Sequence, residues 1–255
     1  MIVEVPLHVS GLWRPVWRRS AISTGSLGAG VLLKPGAVCS PGGPRPPVPT
    51  ALGEVRCKLP VPVGKGFATS AAIALASAIF KYKSFVEAAA RAHVAEVLNK
   101  TGLGDVMAIA YGRGVAVRTE AGGPGWGRVE SLEVPRKVFV VGFTVKGLFA
   151  DTPSMLSSLD VREAFEDAWK ALLDGFDFYS FLEAAEAFSA RVGFLKFVEP
   201  RLLKLPGVMG GYVKKSAGVL FVEGAYADEV LEEVKKVYKV ARAFTPASFY
   251  MRVAP

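Results

Sequence analysis

The sequence predicts an α+β protein, with helices laid on one side of antiparallel sheet, and two observations carry that reading. Runs with strand character and runs with helical periodicity are interspersed along the whole chain. The 255 residues are 51% hydrophobic and 21% charged, enough apolar material for one large domain or two modest ones. That balance excludes disorder, collagen and small disulfide scaffolds. A boundary is placed near Pro135, giving an N-terminal domain over 1–135 and a C-terminal domain over 136–255.

In chain order, Val3 to Val9 reads as an opening strand. TGSLGAGVLL (24–33) follows, where glycines let polar groups sit close to the main chain. SPGGPRPPVPT (40–50) is too rich in proline to be the interior of an element and is read as an exposed connection. Val55 to Val63 is a second strand region, which runs into VGKGFATSAAIALASAIF. The later residues of that segment are apolar all round and predict a buried helix. Ser84 and Glu87 have the spacing of a capping box, so a second helix starts there, with Gly102 as its stop. Val115 to Arg118 and Val129 to Val134 read as strands around the glycine-rich turn 122–127, and Lys137 to Val145 as another. Helices are predicted at about 160–174, 177–192 and 226–237, with strands at Gly218 to Val222 and Val240 to Arg252. There is no internal repeat.

Lysine and arginine exceed aspartate and glutamate by eight, and residues 1–60 hold seven basic and two acidic side chains. A cationic N-terminal part suits an anionic partner without choosing among nucleic acid, nucleotide and carboxylate. Trp13, Arg14, Trp17, Arg18 and Arg19 come nearest to a nucleic-acid face, but no stretch clusters basic and exposed aromatic residues clearly, so no nucleic-acid partner is expected. Cys39 and Cys57 show neither a zinc spacing nor a disulfide framework, and a reducing cytoplasm is the simplest expectation. The uncharged stretch Gly66 to Phe80 is too short to cross a bilayer, and Glu4 and Pro6 break any signal-peptide pattern, so no membrane partner is expected.

The most informative segment is Pro62-Val-Gly-Lys-Gly-Phe-Ala-Thr-Ser-Ala-Ala72, where a strand empties into a small-residue loop that opens a hydrophobic helix. Such a junction aims free N–H groups and the positive end of the helix dipole at one place, which suits phosphate. It is not a Walker A loop, because Lys65 precedes the second glycine. On composition alone, an ordinary N-cap on a buried helix explains it equally well.

This segment resembles the P-x-x-x-G-[LF]-[GA]-[ST]-S-A signature of the GHMP small-molecule kinases, with Ala68 where glycine is usual. TGSLGAG (24–30), AHVAEVLNKTGLGDV (92–106) and HVSGLW (8–13) are similar to the archaeal pantoate kinases within that superfamily. The resemblance spans roughly residues 5–120. It is weaker in the C-terminal half, where PGVMGGYVKKSAG (206–218) stands in place of the family's third glycine-rich motif. It implies an N-terminal domain like domain 2 of ribosomal protein S5 and a ferredoxin-like C-terminal domain. It also implies transfer of the γ-phosphoryl of ATP to the primary hydroxyl of pantoate, with Mg²⁺ as cofactor, and a homodimer.

By the same resemblance, Gly64, Lys65, Gly66, Phe67, Ala68, Thr69 and Ser70 cradle the phosphates, and Ser70 and Glu96 hold Mg²⁺. Asp105 accepts or orients the hydroxyl proton as the catalytic group, while Ser26, His93 and Arg118 face the substrate. Arg113 competes with Arg118 as the carboxylate clamp, and His8, Ser10 and Arg14 are further candidates for the same pocket. Each residue also has a plainer reading. Asp105 could be an N-cap, Glu96 part of a solvated helix face, Ser26 a turn residue, His93 a core histidine and Arg118 a surface charge. The nearest alternative function is another kinase of the superfamily acting on homoserine or mevalonate; an S5-like RNA-binding module is more distant.

Overall fold

The structure is a computed structural model and describes residues 1–146, 161–247 and 252–254. Strands β1 (Ile2–Val16) and β2 (Gly25–Pro41) form a long antiparallel hairpin at the heart of the sheet. β1 is buried from Val5 to Trp13, so both its faces must be covered, and its side chains are accordingly apolar apart from His8 and Ser10. The glycine-rich stretch 24–30 lies almost wholly within β2. Register shifts between Val5 and Leu7 and between Ser10 and Leu12 curl the hairpin.

β3 (Val55–Lys58) pairs with β2, and is shorter than the predicted Val55 to Val63 because Pro60 and Pro62 have no N–H to give a ladder. Helices α1 (Thr69–Lys81) and α2 (Phe85–Leu98) pack against each other over the hairpin. Ser84 is the N-cap of α2 by position, but its hydroxyl makes no capping hydrogen bond. A short helix α3 (Asp105–Tyr111), absent from the sequence reading, follows the glycine break and precedes β4 (Val115–Glu120) and β5 (Arg128–Leu132).

β6 (Val138–Thr144) opens the second half. α4 (Arg162–Gly175) and α5 (Phe178–Arg191) follow, the latter with a true capping box between Asp177 and Ser180. β7 (Val208–Lys214) and β8 (Ala217–Glu223) form a hairpin, then α6 (Ala227–Val237), β9 (Ala241–Pro246) and β10 (Arg252–Ala254). β7 occupies the segment 206–218 that had not been read as strand. The predicted closing strand from Val240 to Arg252 includes residues 248–251, which lie outside the described residues, as do 147–160.

The strands join in one sheet of order β10-β1-β2-β9-β6-β8-β7, with β3 and β4 also paired to β2 and β5 to β4. The two halves meet where β2 pairs with β9, through Leu33 opposite Pro246 and Lys34 opposite Thr245. Buried Tyr212 of β7 ties them again by donating to the carbonyl of Val9 at 2.8 Å. Cys39 and Cys57 sit directly opposite each other in the β2–β3 ladder and form a disulfide, a pairing that their spacing in the sequence did not disclose. Among the described residues, no helix is long and apolar enough to cross a membrane.

Candidate active site

The loop before α1 is shaped by three left-handed residues, Gly64 at φ 79°, Gly66 at φ 89° and Ala68 at φ 52°. Ala68 is the N-cap of α1, so Thr69 and Ser70 fall in the first helical turn, where backbone N–H groups have no intrahelical acceptor. Lys65 is exposed at the loop tip. Phe67 turns the other way: its ring is buried and stacks on Phe244, with centroids 6.1 Å apart, which anchors the loop to β9. A cleft opens above the loop. It is lined by Gly64, Gly66, Ala68, Thr69 and Ser70, by Thr101 and Asp105, and by Lys214 at the end of β7 and Lys215 in the turn to β8.

Glu96 of α2 reaches Ser70, whose hydroxyl donates to Oε2 at 3.3 Å. Gly102 has no side chain because none fits: a Cβ there would lie 2.7 Å from both Asp105 Oδ2 and Glu96 Oε2. Two carboxylates and a serine hydroxyl therefore converge at the loop. Burial, and then repulsion from Asp105, push the Glu96 carboxyl up to about 7, against the pull of the Thr101, Thr50 and Ser70 hydroxyls. Its Oε1 is buried with no hydrogen-bond partner among the described residues.

Asp105 behaves in the opposite sense. Burial alone would raise it, but the Lys214 charge, the His8 hydrogen bond and the Arg118 charge hold it well below the usual carboxylate range. Lys214 Nζ stands 3.6 Å from Oδ1, and His8 Nδ1 lies 2.7 Å from the same oxygen.

Arg118 is 2% exposed, deep in β4 where it pairs with Gly28 of β2. Its NH1 faces His8 Nε2 at 3.4 Å and its NH2 faces Ser10 Oγ at 3.4 Å, while Nε is buried without a partner. Burial pushes the guanidinium down to about 10, leaving it charged at neutral pH, and among the described residues it pairs with no carboxylate. Ser26 and the Arg118 Nε both crowd the position that a Gly104 side chain would take, so the absent Cβ is what lets them meet there.

Ser70 and Asp105 thus line the cleft, Glu96 meets them behind Gly102, and Ser26 and Arg118 meet behind Gly104. His93 is buried, its Nε2 bonded to the carbonyl of Thr24 at 2.8 Å, where it ties α2 to the segment after β1. Arg113 is exposed at the entry to β4, and Arg14 pairs with Glu166 and covers the Phe165 ring on α4. Sequence reasoning missed Lys214 and gave His8 too small a place. Lys214 reaches Asp105 from more than a hundred residues away, signalled only by the Lys-Lys pair in the glycine-flanked 206–218 segment. His8 was a marginal candidate, yet it makes the shortest polar contact to Asp105 among the described residues. No group of three His, Cys, Asp or Glu side chains arranged to hold a metal occurs among the described residues.

No protein-family profile matches the chain. Over 164 residues it is 34% identical to the pantoate kinase of Thermococcus kodakarensis, a match covering 50% of this chain and 54% of the relative, so the likeness spans about half the length of each. Among solved structures, a phosphotransferase related to the coenzyme A biosynthesis pathway superposes with a TM-score of 0.79 at 24% identity, covering 100% of this chain and 99% of the other. A homoserine kinase from Cytophaga hutchinsonii (TM-score 0.70, 16% identity, 100% and 97% covered) and a mevalonate kinase (0.61, 12%, 99% and 98%) have the same architecture. The chain is therefore similar over half its length to a pantoate kinase, and it shares the fold of these homoserine and mevalonate kinases.

Proposed function

We propose that the protein is an ATP-dependent kinase that phosphorylates the primary hydroxyl of pantoate. The observation that carries this reading is the Arg118 guanidinium, buried near Asp105 with no carboxylate in ion-pair contact among the described residues. A buried cation in that state calls for an anion from outside, and its planar fork suits a carboxylate. An acid carrying a hydroxyl a few bonds from its carboxylate, as pantoate does, would bridge Arg118 and Asp105, with Ser26 and Ser10 as neutral partners. We read 1–135 and 136–255 as the S5-domain-2-like and ferredoxin-like parts of this kinase fold.

Transfer then needs little covalent help from the protein. The loop 64–70 and the start of α1 would take the triphosphate. Ser70 and Glu96 fit Mg²⁺, since the orphaned, buried Glu96 Oε1 lacks the cation that its environment asks for, and a hydroxyl with one carboxylate leaves the other positions to phosphate and water. Mg²⁺ there would neutralise charge on the phosphate oxygens. Asp105 orients the hydroxyl. As the new O–P bond forms and the β–γ bridge breaks, the hydroxyl proton passes to its carboxylate. A carboxylate of very low basicity suffices, because in a loose transition state the hydroxyl becomes acidic only late.

The test is a substrate panel with ATP and Mg²⁺, containing pantoate, homoserine and mevalonate. Phosphopantoate as the main product supports the reading. No pantoate turnover beside strong activity on another alcohol overturns it.

A further inference from the structure

We propose that His8 is a positioning residue for phosphoryl transfer: held in one tautomer by Arg118, it fixes Asp105 so that Oδ2 alone is offered to the substrate hydroxyl. The inference rests on the kinase reading above and deepens it.

The tautomer follows from donor and acceptor arithmetic. A guanidinium can only donate, so with Arg118 NH1 facing it, His8 Nε2 must carry a lone pair. The ring proton is then on Nδ1 and is donated to Asp105 Oδ1 over 2.7 Å. Lys214 Nζ approaches that same oxygen at 3.6 Å. Oδ1 is therefore held from two sides, by β1 and by the end of β7, while Oδ2 faces the space kept open by the missing side chain of Gly102. Gly30, across the hairpin, makes room for the imidazole: a Cβ there would stand 2.5 Å from His8 Nε2. The bond from His8 also stops the carboxylate from rotating, so it holds the proton-accepting oxygen at a fixed place relative to Ser70 and the phosphate loop.

This arrangement links the two ends of the substrate site. Arg118, which would take the carboxylate, and Asp105, which would act on the hydroxyl, touch opposite nitrogens of one ring.

Two experiments test the proposal together. The chain contains only two histidines, so nitrogen-15 NMR of histidine-labelled protein shows two imidazoles and needs no substrate. His93 donates from Nε2 to the Thr24 carbonyl, so the two rings are expected in opposite tautomers, the Nδ1–H signal belonging to His8 and disappearing in His8→Asn. Two Nε2–H rings would overturn the proposal whatever the substrate is. In steady-state kinetics on whichever alcohol the wild type phosphorylates, His8→Asn, whose amide can stand in for Nδ1–H, is expected to keep kcat within about fivefold. His8→Gln, whose amide reaches the Nε2 position instead, is expected to lose kcat by about 30-fold or more at unchanged KM for ATP. Equal kcat for the two variants at matched thermal stability would reduce His8 to a packing residue. A wild type inactive on pantoate but active on another alcohol would sink the substrate assignment and leave this comparison intact.

Discussion

Asp105 sits where burial competes with the Lys214 and Arg118 charges and the His8 hydrogen bond, and these three win. Asp105→Asn keeps the shape and removes the charge and the proton acceptor. It is expected to lower kcat with pantoate by about 10²- to 10⁴-fold, the range typical of a positioned acid–base group, at nearly unchanged KM for ATP. Steady-state assays of the purified variant check this. The histidines make a separate prediction about stability. Burial holds His8 down to about 4, and His93 below its usual value. Between pH 6.5 and 4 the unfolded chain therefore binds a proton that native His8 refuses, so stability must fall as the pH falls through this window. The His8 share is about 3 kcal/mol. Thermal melts from pH 7 to 4 should show this loss, and His8→Asn should flatten it. Asp105, Glu96 and Ser70 were legible as candidates because their motif fixes their residue types. The polarity of the site was not. Whether a carboxyl is held down, as at Asp105, or pushed up, as at Glu96, depends on neighbours that arrive from other elements.

At the level of elements, the loop before α1 carries a local conflict. Ala68 occupies a left-handed conformation that an L-residue adopts at a cost of about 1 kcal/mol, whereas glycine does so freely. Ala68→Gly is expected to leave stability unchanged or raise it by up to about 1 kcal/mol, and Ala68→Val to lower it, as denaturant titration would read. The β2–β3 ladder has its own restraint. The Cys39–Cys57 bond closes a loop across 18 residues that includes the proline-rich connection, and breaking it should cost about 3 kcal/mol. Melts with and without a reductant, and of Cys39→Ser, measure that. Helix α2 was readable from the spacing of Ser84 and Glu87, although the capping hydrogen bond is absent and the helix ends at Leu98, before the expected stop at Gly102. Helix α3 was hidden because seven residues between two glycines are too few to show a period. β2 was half-hidden for a different reason. Its glycines look like loop, but they serve a curled strand that polar side chains must approach closely.

Across the whole molecule, the cleft exists because the sheet is continuous. β2 pairs with β9, the β7–β8 hairpin is carried round to the phosphate loop, and a Cβ on Gly66 would lie 2.9 Å from the Lys214 carbonyl oxygen. The C-terminal half therefore supplies a cation to a site otherwise built by the N-terminal half. Lys214→Met is expected to lower kcat about tenfold or more, and to leave the melting temperature within a few degrees, since the side chain is partly exposed. Kinetics and melts on one preparation separate the two effects.

From its residues alone the chain determined its α+β character, most of its helices and strands, and a small-residue loop opening a buried helix, followed by Glu96 and Asp105 at motif spacing, because periodicity and motif are local and survive without the fold. Only the tertiary structure decided that Arg118 is buried against His8 and Ser10 while Arg113 is exposed, that Cys39 meets Cys57, that His93 is bonded to backbone, and that His8 and Lys214 close on one oxygen of Asp105. Those are contacts between distant segments, set by strand register and by how the sheet curls, and neither quantity is written in any single stretch of sequence.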